Sequence, residues 1–156
     1  MTRIALYQPD IAQNVGSLIR LCACLEVPLD IIEPCGFPFD MRRIKQTAMD
    51  YIDHVDLQRH ESWNGYLTYI NETIPQHRLC LLTTKGSTPH HQVSFRDDDI
   101  LLCGRESAGV PESVHAHADI RVKIPLANHA RSFNVASAAT IVLAEALRQT
   151  NQWPES

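Results

Sequence analysis

The run Leu101-Leu102-Cys103-Gly104-Arg105-Glu106-Ser107-Ala108-Gly109-Val110-Pro111 joins an apolar segment to a glycine-containing loop and then to a proline suited to a first helical turn. In open α/β sheets, ligands bind just beyond the carboxyl ends of strands, and this apolar run stops abruptly at Gly104. Gly104 and Gly109 permit positive φ and a close approach of backbone to ligand. On spacing alone the segment reads equally as a plain strand-to-helix turn. It is not a Walker A loop, because no Gly-Lys-Ser/Thr follows, and it is not a dinucleotide fingerprint in the usual N-terminal position. A second candidate, from Ile124-Pro125 to Ser132-Phe133-Asn134, again runs from an apolar strand through a polar loop into a helix. Two such strand ends side by side would leave a pocket of backbone N–H and C=O groups suited to adenine and ribose edges; Asn134 there either caps the helix or binds. The third candidate, Pro9 to Arg20, sets Asn14 at a helix N-terminus and Arg20 nearly two turns later. Gly16 and Ser17 between them are poor helix formers, so close packing or ligand approach selects them.

The elements that would hold these segments alternate, β-branched or Leu-rich runs with amphipathic ones, which is the α/β pattern. Strands are expected at Ile4–Tyr7, Leu29–Ile32, Arg78–Thr83, Ile100–Cys103 and Ile120–Ile124, and helices at Asn14–Leu25, Asp40–Asp50, Trp63–Ile70, Pro111–His117 and Ser132–Thr150. Ser132 is expected to cap the last helix, and Arg148 suits its negative pole. Alanine and serine dominate that helix, so a second backbone can approach it closely, from its own sheet and from a second subunit.

With 156 residues and 44% apolar content, the chain fits a single domain, residues 1–156, with a real core. Its net charge of −4 argues against a general nucleic-acid coat protein but allows a local basic patch. No window approaches a membrane span, and Met1–Tyr7 reads as a first strand rather than a secretory signal, so the cytoplasm is expected. The five cysteines include no Cys-x-x-Cys pair and read as reduced, mostly buried thiols. His90-His91 and His115-x-His117 lack metal-ligand spacing and read as solvated loop histidines, so no metal is expected.

Taken together, the three segments resemble the SpoU branch of the SPOUT methyltransferases, and most closely its minimal TrmL type. Asn14, Gly16 and Arg20 match the first motif. Gly104, Glu106 and Gly109, followed by Val110-Pro111, match the second, and Ile124, Pro125, Ser132 and Asn134 the third. Leu82-Thr83-Thr84-Lys85-Gly86 resembles the family's other ligand-side strand end. Ala136 stands where the family often has a serine, a change read as tolerated helix packing.

The resemblance implies an α/β SPOUT fold with a largely parallel sheet, helices on both faces and a deep C-terminal trefoil knot, in a homodimer with its active site at the subunit interface. It implies S-adenosylmethionine as methyl donor, with S-adenosylhomocysteine as product. The acceptor would be the ribose 2′-hydroxyl of the wobble nucleotide, cytidine or uridine, in a tRNA anticodon stem-loop. A ribosomal RNA substrate, or a non-catalytic RNA-binding module, is the alternative. The donor is expected against Leu82, Thr83, Gly104, Gly109, Ile124 and Ser132. Catalysis is expected from Arg20, Asn14, Ser132, Asn134 and Glu106, with Asn14 and Arg20 facing the pocket across the dimer interface. Guanidinium keeps its proton above about pH 12, so Arg20 is read as an orienting and charge-stabilising group rather than a base. Glu106 either sits near the sulfonium or holds its loop. Arg42, Arg43, Lys45 and Lys85, with Arg20, are the candidate RNA contacts.

Overall fold

The computed structural model describes residues 1–86 and 88–156. Within them are seven strands: β1 (Arg3–Tyr7), β2 (Leu29–Ile32), β3 (Leu57–His60), β4 (Arg78–Leu82), β5 (Thr88–Pro89), β6 (Asp99–Cys103) and β7 (Ile120–Lys123). They form one sheet in the order β3-β2-β1-β6-β4-β7-β5, every pairing parallel. The helices are α1 (Ala12–Leu25), α2 (Met41–Ala48), α3 (Trp63–Thr73), α4 (Glu112–His117) and α5 (Val135–Thr150).

A parallel sheet covered on both faces needs strands that are apolar throughout, and β1 and β6 are fully buried along their length. Successive side chains then serve opposite layers. Ile4 and Leu6 join one core with Val15, Leu18 and Ile19 of α1, Ile44 of α2 and Leu143 of α5. Ala5 and Tyr7 join the other, with Tyr66 and Ile70 of α3 and Val114 of α4. Helices therefore cover both faces, as expected.

Four boundaries differ from the sequence reading. The last helix starts at Val135, and Asn134 rather than Ser132 caps it, its Oδ1 accepting from Ala136 N at 2.9 Å and Ser137 N at 3.3 Å. Pro111 is the residue before α4, not within it. The stretch expected as one helix over Asp40–Asp50 is α2 followed by a 3₁₀ turn at Met49–His54, broken where Met49 takes φ 58°. The strands β3 and β5 were not expected: β3 carries Gln, Arg and His on the sheet edge, and β5 is two residues long.

The register determines where a site can lie. Leu82 pairs with both Cys103 and Val122, so β4, β6 and β7 end level with one another. At the far side, Asp30 is fully buried and accepts from Arg3 Nε (2.8 Å), Arg3 Nη2 (3.0 Å) and the Tyr66 hydroxyl (2.7 Å), tying β1, β2 and α3 together. The chain ends meet as well, with Thr2 N donating to Gln152 Oε1 at 2.8 Å. Among the described residues no helix is long and apolar enough to cross a membrane.

Candidate active site

The level ends of β4, β6 and β7 open into a cavity of about 430 Å³, within the range of small-molecule sites. Leu82 and Thr83 line it from β4, Gly104, Glu106 and Gly109 from the loop after β6, and Ile124 and Ser132 from the segment after β7. All six residues expected to hold a donor thus share one cavity. The loop after β6 folds back on itself. Arg105 and Gly109 exchange backbone hydrogen bonds of 3.1 and 2.9 Å, and Gly109 takes φ 64°. A Cβ on Gly104 would lie 3.0 Å from Gly109 Cα, so Gly104 is required by backbone packed on backbone rather than by a ligand. Arg105 finishes the turn with its Nε donating to Gly109 O at 2.9 Å and its guanidinium 5.5 Å from the Tyr7 ring centroid.

A chain of amides joins the three sequence motifs at the edge of this cavity. Asn134 Nδ2 donates to Asn14 Oδ1 (3.0 Å), and Asn14 Nδ2 donates to Glu106 Oε1 (3.1 Å). Asp10 N donates to Glu106 Oε2 (3.1 Å), and Glu106 N returns the bond to Asp10 Oδ1 (3.1 Å). The Ser107 hydroxyl also donates to Asp10. Both sequence readings of Asn134 therefore hold at once: its oxygen caps α5 while its amide nitrogen binds Asn14. Both readings of Glu106 meet as well, since it lines the cavity and clamps its loop to the start of α1. Asn14 is only 7% exposed and makes these bonds within its own chain.

The two acids are displaced in opposite directions. The hydrogen bond shared with the Glu106 side chain, aided by the Ser107 hydroxyl, lowers Asp10 to about 2. Burial raises Glu106, and its contact with Asp10 adds to the rise. Cys103, beside them in the cavity wall, has its thiol pushed up to about 12 by burial and is no nucleophile near neutral pH.

Arg20 stands apart. It is exposed on α1, does not line the cavity of its own chain, and lies with its guanidinium 5.1 Å from the Tyr51 ring centroid. Nearby, a Cβ on Gly16 would sit 2.5 Å from Thr47 Cβ, so close packing of α1 on α2 accounts for that glycine. Lys85 is exposed at the cavity rim, whereas Arg42, Arg43 and Lys45 are exposed on α2 and outside it.

Two histidine expectations are corrected. His90 has a buried Nδ1 rather than a solvated ring. His115 is on α4, lines the cavity and is held by Arg121. Its bonding partner is six residues away on the next strand, beyond the reach of a metal-spacing test. Asp10 and Arg105 were also missed, although both fall inside the segments that carry the motifs, where only the motif residues were weighed.

A model of the SpoU rRNA Methylase family matches residues 1–144. A tRNA (cytidine(34)-2′-O)-methyltransferase of Beijerinckia indica subsp. indica is 58% identical over 146 residues, covering 94% of this chain and 90% of the relative. One of the same name from Escherichia coli K12 is 40% identical over 151 residues, covering 96% and 94%. A solved structure presented as structural insights into the 2-OH methylation of C/U34 on tRNA superposes with a TM-score of 0.89 at 37% identity, covering 96% of this chain and 95% of that one.

Proposed function

This chain belongs to the SpoU rRNA Methylase family, and from that premise we propose that it transfers a methyl group from S-adenosylmethionine to the ribose 2′-hydroxyl of nucleotide 34, cytidine or uridine, in tRNA. The observation that carries the reading is the cavity at the ends of β4, β6 and β7, with the Asn134–Asn14–Glu106 chain bonded to its edge. The relatives' printed names supply the acceptor class.

S-adenosylmethionine, when bound, supplies a sulfonium methyl and leaves as S-adenosylhomocysteine. Leu82, Thr83, Gly104, Gly109, Ile124 and Ser132 hold it, and the back-folded loop from Gly104 to Gly109 gives it a rigid wall. In-line transfer asks the protein chiefly for position. Asn14 and Asn134 orient the ribose, and Glu106 fixes both to the donor loop. Arg20 binds the neighbouring phosphate and stabilises charge on the attacking oxygen. Because Arg20 lies outside its own chain's cavity, the reading includes a homodimer in which Arg20 of one protomer serves its partner's pocket. Lys85 meets the RNA at the rim, and Arg42, Arg43 and Lys45 extend that contact along α2. The proposal also carries a single domain over residues 1–156, a deep trefoil knot in the C-terminal region and a cytoplasmic location.

The test is direct. Purified protein with labelled donor should methylate an anticodon stem-loop only when a 2′-hydroxyl is present at nucleotide 34. 2′-O-methyl mapping of tRNA from a strain lacking the gene should lose that mark. Labelling of ribosomal RNA instead would move the substrate and sink the assignment.

A further inference from the structure

His115 belongs to the cavity wall, yet half of its ring has no partner. Arg121 Nε donates to His115 Nδ1 at 3.1 Å, while Arg121 Nε and Nη2 also donate to the His115 carbonyl at 3.1 and 2.8 Å. An N–H can donate to Nδ1 only if that nitrogen carries no proton, so the neutral imidazole bears its hydrogen on Nε2. Nε2 is buried and has no hydrogen-bond partner. A buried donor with no acceptor is costly, and such groups are rare unless something else meets them.

Arg121 does not line the cavity and His115 does, so the edge turned from Arg121 is the one presented to it. The wall there is apolar. Leu81 and Val110 line the same cavity and pack in one cluster with Val114, the residue before His115. An uncharged N–H set among apolar side chains matches an uncharged acceptor on a flat heterocycle better than it matches a carboxylate or phosphate.

We propose that His115 is a specificity-determining residue of this pocket, its Nε2–H donating to a ring nitrogen of the donor's purine. Arg121, on β7, is then a positioning residue that fixes the tautomer from outside. The inference rests on the cavity being the S-adenosylmethionine site.

Calorimetry on the full-length protein separates the two claims, using S-adenosylhomocysteine and its 1-deaza, 3-deaza and 7-deaza analogues, each with one ring nitrogen replaced by C–H. The wild type should bind one analogue about three- to tenfold more weakly than the parent, the loss of one neutral hydrogen bond. In His115→Leu the parent should weaken by the same factor and the difference between parent and analogue should vanish. A change of packing alone would weaken parent and analogues together and leave their ratio intact. If His115→Leu does not fold, His115→Asn, whose amide is too short to reach, provides the same comparison. Equal binding of parent and all three analogues by the wild type, or a ratio unchanged in the variant, overturns the role of His115 while leaving the donor site standing. Failure of the parent to bind the wild type overturns both.

Discussion

Asp10 and Glu106 exchange backbone-to-carboxylate bonds, and their opposite displacements make the pair a source of pH dependence. Asp10 is lowered from 3.8 to about 2 in the fold, so its contribution to stability is complete above about pH 4 and is lost as pH falls toward 2. Glu106, raised, works the other way: its contribution is present below the ordinary glutamate value and fades as pH rises through the folded one. Asp10→Asn should therefore flatten the fall in Tm between pH 4 and pH 2, measured by thermal melts across that range; an unchanged slope would show that Asp10 is not the group responsible. Legibility differed sharply at this scale. Gly104, Glu106 and Asn134 could be read because they stand at the ends of recognisable apolar runs. Asp10 could not, because its partner is 96 residues away and nothing local distinguishes it from any loop aspartate. His115 was misread for the same reason, its environment being made by Arg121 and the β4 wall rather than by its neighbours in sequence.

Among the elements, α5 and α1 each place one motif residue and can be tested separately from the chemistry. Asn134→Ser retains a capping oxygen but no amide to reach Asn14, so it should keep most of the stability and lose most of the turnover. Asn134→Ala loses both, with about 1 kcal/mol of destabilisation for the missing cap. Urea titration beside methylation assays distinguishes the two variants. Gly16→Ala puts α1 in conflict with α2. Helix propensity favours alanine by about 1 kcal/mol, but the added Cβ would lie 2.5 Å from Thr47 Cβ and 3.4 Å from Ala48 N. Overpacking of this kind costs about 1–3 kcal/mol, so the variant should unfold at lower urea than the wild type. Strands buried on both faces, such as β1 and β6, were legible as unbroken apolar runs. The edge strand β3, with sequence Leu-Gln-Arg-His, offers no such signal and is recruited by pairing with β2.

For the whole molecule, the placement of Arg20 outside its own cavity makes a prediction about assembly. Arg20→Ala and Gly104→Val should each be inactive, the first with donor affinity kept and the second without it, since a side chain at 104 meets Gly109 backbone at 3.0 Å. Mixing the two after subunit exchange should restore part of the activity, because one pocket of the mixed dimer has an intact loop and an intact arginine from its neighbour. No recovery, with exchange verified by mass, would place Arg20 in its own subunit's site. The pairings that build that site have a further consequence, for synthesis. β1 is the first strand made, yet one of its two neighbours is β6, with Arg3 opposite Ile100, and Asn14 finds Asn134 across 120 residues. Thr2 is not held until Gln152 exists. A nascent chain emerging from the ribosome thus carries half of each contact for most of its translation, with the apolar edge of β1 open. Folding governed by such distant partners is slow. The methylation site is therefore among the last features of the molecule to form, and a cell starved of folding capacity would lose activity before it lost the polypeptide.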